Sequence, residues 1–221
     1  MHDMTLRNDQ IAIVHGATPS ISDLTEITFR NHAHYALKHG YALREFEFRP
    51  SEKVWEKIRV LRETFADPNI HRAFWIDADA IFTNLELSLV EHLPNGKIVG
   101  ACDVFGFNAG CLWLENCPEV RRLLWVLTNQ GREMFDSALW KEQSALRYFS
   151  LHPPYTELFT YVDPSKMNAY LNEIYAKENR PPLASLNQWK PGCFVLHLPG
   201  ISHRIRIQIL KKILAEQLTP P

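Results

Sequence analysis

Short apolar runs alternate along the chain with amphipathic stretches of helical period, the order that an α/β domain leaves in its sequence. QIAIVHGA, residues 10–17, predicts a buried first strand ending in small residues. Ser20 to His39 then carries Leu24, Ile27, Ala33 and Leu37 at helical spacing behind capping-type serines, and Gly40 supplies the stop. A second strand, YALREFEF, leads to a helix over Trp55 to Phe65 with Ile58, Leu61 and Phe65 on one face, and Asp67-Pro68 breaks it. The third strand, RAFWID, ends in acid.

The alternation continues with a short helix near Leu87 to His92 and strands over Lys97 to Cys102 and Ala109 to Glu115. Pro118 suits the first position of a helix whose Val120, Leu123, Leu124 and Leu127 share a face, and a further helix is expected over Ser137 to Phe149. From His152 to Cys193, Pro, Asn and Tyr predict loops around one or two short strands. Tyr155, Tyr161, Tyr170 and Trp189 in that stretch suit either ring stacking on a ligand or core packing. The tail is helical from about Arg204 to 218, with Ile205, Ile209, Ile213, Leu210 and Leu214 on one side. It is expected to pack on the domain, while its basic residues leave peripheral membrane contact open.

A chain of 221 residues, 46% hydrophobic, is expected to form one domain over residues 1–221. Lys plus Arg is 24 and Asp plus Glu is 25, so the net charge of −1 offers nucleic acid no general attraction. No apolar run approaches the roughly 18 to 20 residues that cross a bilayer, and MHDMTLRNDQ is too polar for a signal peptide. A soluble, cytoplasmic chain is expected, or a lumenal one had an anchor been removed. The four cysteines, without CxxC spacing, read as buried thiols in a reducing compartment.

The candidate chemistry sits at strand ends. In FWIDADAIFT an apolar strand runs directly into Asp77-Ala78-Asp79, at the rim where open α/β sheets bind ligands. Two neighbouring carboxylates repel unless a cation or strong donors neutralise them, and hard oxygen ligands of this kind suit Mg²⁺ or Mn²⁺. The bland alternative is that the acids cap a turn. His197, in CFVLHLPG, ends another strand before Pro199 and Gly200, and an imidazole beside two carboxylates tilts the choice to manganese. DVFGFNAG brackets a glycine between Asp103 and Asn108, which suit sugar hydroxyls, with a hairpin turn as the structural alternative. Glu142 and Gln143 fall in the first half of a helix, where Glu142 could equally serve the N-terminal dipole; Lys57 could meet a diphosphate or lie in solvent.

HAHYALKHGYAL, VWEKIRVLRETF, FWIDADAIFTN, FNAGCLWLEN, WKEQSALRYF and FVLHLPG together resemble, in order and separation, glycosyltransferase family 34. That family contains fungal α-galactosyltransferases, mannan-extending proteins and plant xyloglucan xylosyltransferases. The resemblance implies a GT-A domain: a Rossmann-like mixed sheet flanked by helices, a DxD metal site and retention of anomeric configuration. The family's metal ligands fall on Asp77, Asp79 and His197, and its catalytic pair on Glu142 and Gln143, with Gln143 beside the anomeric carbon. Glu142 stands where Asp is usual. Asn108 matches a sugar-site asparagine. The donor surface is expected from His15, Gly16, Lys57, Asp77, Ala78, Asp103, Asn108, Ala109, Gly110 and Gly200.

The expected activity is a Mn²⁺- or Mg²⁺-dependent retaining transfer from a UDP-sugar, UDP-galactose first, with UDP-glucose, UDP-xylose and GDP-mannose behind. The acceptor is left open among glycan, lipid-linked sugar, peptide and natural product. Two rivals are weighed: a nucleotide-sugar-binding domain without turnover, and a haloacid-dehalogenase-type phosphohydrolase, whose DxDx[TV] loop DADAI loosely imitates. That loop normally follows a first strand.

Overall fold

A computed structural model describes residues 6–177 and 188–217. Strand β1 (Ile11–Ala17) is followed by helix α1 (Ser22–His39), strand β2 (Ala42–Glu47), helix α2 (Glu56–Thr64) and strand β3 (Arg72–Ile76). Then come β4 (Ala80–Phe82), α3 (Leu89–His92), β5 (Ile98–Asp103), β6 (Gly106–Phe107) and β7 (Cys111–Glu115). Helix α4 (Pro118–Val126) widens into a π turn over Leu127–Gly131 before α5 (Arg132–Phe135) and α6 (Lys141–Leu151). Strand β8 (Phe159–Val162), α7 (Asn172–Lys177), β9 (Val195–His197) and α8 (His203–Gln217) complete the described order.

The main sheet runs β2-β1-β3-β7-β5-β6, with β8 on β5. It is mixed, as expected: β1 is parallel to β2 and β3, β8 is parallel to β5, and β7 runs antiparallel between β3 and β5. The chain leaves β1 for one side and returns on the other, so the order reverses beside β3, where α/β sheets open a crevice. Asp77 follows β3 directly. A separate antiparallel pair, β4 with β9, sets Ala80 opposite His197. That pairing folds the tail back onto the acid pair.

Alternation along the strands divides the core. Ala12 and Val14 join Ile58 and Leu61 of α2 and Val120, Leu123 and Leu124 of α4 on one face. Ile11 and Ile13 join Tyr35 of α1, Phe82 of β4 and Phe194 on the other. A third cluster gathers Leu24, Ile81, Leu196, Leu210 and Ile213, so α8 packs its apolar stripe on the domain. Among the described residues no helix is long and apolar enough to cross a membrane. All four cysteines are free, and Cys111, Cys117 and Cys193 are buried.

Several details differ from the pattern reading. Helix α1 buries Leu24, Thr28, Asn31, His32, Tyr35 and Ala36, and leaves Leu37 84% exposed. Its inward face is half polar because it docks on strand backbone. Asn31 Nδ2 donates to Phe82 O (2.9 Å), Phe82 N donates to Asn31 Oδ1 (2.8 Å), and His32 Nε2 lies 2.9 Å from Ala80 O. The helix entry has no serine cap; Pro19–Ile21 forms a 3-10 turn instead. Helix α6 starts at Lys141, four residues later than expected, because the chain turns over Ser137 to Trp140 and reverses at Lys141 with φ 32°. Strands β4 and β6 carry too few residues to register as periodic segments.

Candidate active site

The acid pair and the distant histidine converge. One ligand atom from each of Asp77, Asp79 and His197 lies within 4.8 Å of the others. His197 Nε2 is 3.2 Å from Asp79 Oδ1 and 3.9 Å from Asp77 Oδ2. Behind it, His197 Nδ1 is 2.7 Å from Asn168 Oδ1, an acceptor, which assigns the ring proton to Nδ1 and turns the Nε2 lone pair toward both carboxylates. A lone pair facing two carboxylates is a seat for a cation. Gly110 makes room for the ring, since a Cβ there would stand 2.1 Å from His197 Cε1.

Each acid is held by one oxygen. Asp77 Oδ1 accepts from Trp75 Nε1 (2.7 Å) and pairs with Lys57 Nζ (3.0 Å), which leaves Oδ2 facing His197. Lys57 is buried. Its ammonium also donates to Ala109 O (2.9 Å), pairs with Glu142 Oε1 (3.3 Å) and lies 5.3 Å from the Trp75 ring centroid. Burial would lower the Lys57 pKa, but Asp77 and Glu142 outweigh it and hold the ammonium above its ordinary value. Burial, helped by Asp77, raises the Glu142 carboxyl against the pull of Lys57.

Asp79 places Oδ1 toward His197 and Oδ2 against Arg206 Nη2 (3.2 Å) from α8. Burial pushes this carboxyl up, yet His197, whenever its ring carries a proton on both nitrogens, and the Arg206 guanidinium hold it well below the ordinary carboxylate range. With Asp77, Asp79 and Glu142 ionised against Lys57 and Arg206, the fixed side-chain charge is −1. A divalent cation reverses that sign, so the donor set and the charge both fit one.

Two cavities meet at Asp77. The first, about 540 Å³, extends from Asp77, Ala78, Asp79, Lys57 and Arg206 toward Gly16, Thr18 and Phe48. The second, about 480 Å³, is lined by Asp77, Asp103, Asn108, Gln143, His197 and Gly200. Both volumes suit small-molecule sites. Gly200 turns the chain beside the second cavity with φ 70°, a conformation cheap for glycine.

The remaining candidates divide by what binds them. Asp103 and Asn108 do flank a hairpin turn, since Asp103 pairs with Gly106. They are also tied inward: Asn108 Nδ2 donates to Asp103 Oδ2 and to Tyr170 Oη, both at 2.9 Å, and Asn108 Oδ1 accepts from Gly110 N (2.8 Å). Tyr170 is wholly buried and Trp189 packs in the third cluster, so these rings serve the core. Gln143 Oε1 accepts from Ala109 N (3.0 Å), which turns its amide nitrogen away from that backbone N–H. Ala109 and Gly110 line neither cavity and act through their backbone, bonding Lys57, Gln143 and Asn108, and His15 is turned away from both cavities. It faces α1, buried 3.1 Å from His32 Nδ1, and burial pushes its pKa down to about 4.

Sequence reasoning missed Arg206, Trp75 and Asn168 as parts of the site. Arg206 was one of four basic residues on an amphipathic tail, and only folding singles it out. Asn168 lies in a loop with no period to read. Trp75 fell within the apolar third strand with no role of its own; its ring is buried, and its indole N–H sits two residues before the acid it holds.

A mixed sheet with an acid pair beyond a central strand and a returning histidine defines a GT-A nucleotide-sugar transferase fold. A solved glycosyltransferase involved in glycosylation of the major capsid of PBCV-1 superposes with a TM-score of 0.70 at 17% identity, covering 91% of this chain and 98% of that one. The galactosyltransferase LgtC, in complex with donor and acceptor sugar analogues, gives 0.62 at 15%, covering 95% and 97%.

Residues 8–99 match the model of the galactosyl transferase GMA12/MNN10 family. A galactomannan galactosyltransferase of Cyamopsis tetragonoloba is 26% identical over 155 residues, covering 61% of this chain and 36% of the relative. A probable α-1,6-mannosyltransferase MNN10 of Saccharomyces cerevisiae is 33% identical over 75 residues, covering 30% and 19%. The chain thus spans little more than a third of these relatives at most. The phosphohydrolase alternative needs its acids after the first strand, and here they follow the third.

Proposed function

We propose that this chain transfers a sugar from a nucleoside diphosphate donor, UDP-galactose first, to a hydroxyl acceptor with retention at the anomeric carbon. The observation that carries the reading is the meeting of Asp77, Asp79 and His197 where two cavities join. The nucleotide occupies the cavity toward Gly16 and Thr18, and the sugar with its acceptor the cavity toward Gln143. Mn²⁺ or Mg²⁺ held by Asp77, Asp79 and His197 would supply charge neutralisation to the leaving diphosphate.

The chain's own residues prepare that charge. Lys57 and Trp75 fix Asp77 without competing for Oδ2, and Arg206 adds a cation at the far side of Asp79. Gln143 keeps one Oε1 lone pair beyond its bond to Ala109 for a developing oxocarbenium, and its amide nitrogen can donate to a sugar hydroxyl. Among the described residues the Asp103 carboxylate of the second cavity accepts from Phe105 N, Asn108 Nδ2 and Tyr170 Oη, and Glu142 is paired with Lys57, so neither stands free as a strong nucleophile. Same-face displacement, with a diphosphate oxygen taking the acceptor proton, therefore fits better than a covalent intermediate.

Nucleotide release from UDP-galactose, UDP-glucose, UDP-xylose and GDP-mannose, with Mn²⁺ and with chelator, tests the reading. Metal-dependent release from a UDP-sugar is expected. Release from none of the four, or release indifferent to chelator, contradicts it; an inverted product by NMR contradicts the stereochemistry.

A further inference from the structure

Beyond the two cavities that meet at Asp77, a groove of about 390 Å³ continues outward, and Phe105, Leu139, Trp140 and Gln143 line both it and the second cavity. It is therefore an extension of the transfer site on the side away from the nucleotide. Arg147 and Leu151 line this groove and not the second cavity. Leu139 is 82% exposed, Leu151 61% and Trp140 39%, with Phe105 and Trp140 ring centroids 4.7 Å apart. Large side chains left to water in one row, next to a reaction centre, mark a binding surface rather than core.

Arg147 gives the groove a charge. It is exposed and lies across the β5–β6 hairpin, where a Cβ at Gly106 would meet its Nε at 2.7 Å. Among the described residues no carboxylate pairs with it. The lysines and arginines nearer the acid pair are engaged, Lys57 with Asp77 and Arg206 with Asp79. Arg147 is thus a cation with no carboxylate paired to it among the described residues, set between Gln143 and Leu151 on α6 beside the apolar side chains of the groove.

We infer that the groove seats the body of an amphiphilic acceptor: its hydroxyl in the second cavity, an aryl or alkyl portion along Phe105, Trp140, Leu139 and Leu151, and an anionic group at Arg147. This rests on reading the cleft as a transfer site, and it narrows the acceptor from any hydroxyl compound to one with an apolar body. A purely polar glycan would leave Leu139 and Leu151 in water.

The probe is 1-anilinonaphthalene-8-sulfonate, whose rings and single sulfonate carry both chemistries. Fluorescence titration of the folded chain is expected to show one saturable site, weakened roughly tenfold or more by Trp140→Ala and by Arg147→Gln. Octyl glucoside is expected to displace it and methyl glucoside is not. Leu151→Asp, at an exposed position, places a repelling charge in the groove and serves as the second variant should Trp140→Ala lower the melting temperature. Unchanged affinity in Leu151→Asp and Arg147→Gln, or equal displacement by the two glucosides, overturns the inference. The titration contains no nucleotide, so failure to bind UDP would count against the donor reading alone.

Discussion

Gly110 and His197 stand so close that the glycine's missing side chain is what lets the imidazole reach the acid pair: a Cβ at position 110 would lie 2.1 Å from His197 Cε1 and 2.7 Å from Nδ1. The neighbour is a whole ring, fixed on its other side by Asn168. It cannot yield by turning a flexible tip. Gly110→Ala is expected to cost about 1–3 kcal/mol of stability through overpacking, and to weaken Mn²⁺ binding roughly 10- to 100-fold by displacing a ligand. Chemical unfolding and a Mn²⁺ titration by electron spin resonance measure the two; a stable variant with wild-type metal affinity would show that His197 is not a ligand.

Lys57 answers two carboxylates inside the protein, with Asp77 Oδ1 at 3.0 Å and Glu142 Oε1 at 3.3 Å. Removing it strands both. Lys57→Met is expected to destabilise the fold by about 3–5 kcal/mol, the range for breaking a buried ion pair from one side. Adding Glu142→Gln is expected to restore part of that loss. Urea unfolding of the single and double variants checks this, and strict additivity would mean that the two side chains do not interact.

Glu56 begins α2 one residue before Lys57, with its carboxylate buried between Arg49 and Arg59. Burial alone would raise its pKa, but hydrogen bonds from both guanidinium groups bring it down to about 2 from an ordinary 4.5. The folded carboxyl is the stronger acid, so its contribution is complete above pH 4.5 and disappears as the pH falls from 4.5 through about 2. Both arginines are partly exposed, which reduces the effect to about 1–2 kcal/mol by solvent screening. Glu56→Gln is expected to lose that amount at pH 7 and to unfold with a flatter acid profile. An acid limb as steep as the wild type's would assign the sensitivity to other carboxylates.

Gln143 touches the site through its amide and the scaffold through Ala109 N. Gln143→Ala is expected to lower turnover roughly 10- to 100-fold while changing donor affinity much less. Steady-state kinetics with the best donor separate the two. A loss confined to KM would reassign Gln143 to binding.

Much of the site was legible because it lies where apolar strands stop. Asp77 and His197 each end a buried run, and strand ends are where a parallel-rich sheet meets ligand, so two short motifs 118 positions apart from Asp79 to His197 could be placed on one rim. What brings them together is the β4–β9 pair, only three residues on each side, too short for a period to show. The α1 stripe misled because Asn31 and His32 bind the β4 backbone; polar residues there do the work that leucines do in a helix packed on side chains. Arg206 was invisible for a related reason. Its helix looks like any basic amphipathic tail until α8 is docked and one cation in four faces Asp79. The aromatic groove also escaped, since Leu139 and Trp140 fall in what read as helix and form the turn that precedes α6.

The central claim is that Asp77, Asp79 and His197 hold one cation that a diphosphate then shares. Calorimetric titration of UDP into the protein, with Mn²⁺ and with chelator, for the wild type and Asp79→Asn, tests it most directly. UDP affinity that depends on Mn²⁺ in the wild type and loses that dependence in Asp79→Asn, with the melting temperature kept, is the predicted result. UDP binding of equal strength with chelator, or an Asp79→Asn variant that responds to Mn²⁺ as the wild type does, would contradict it.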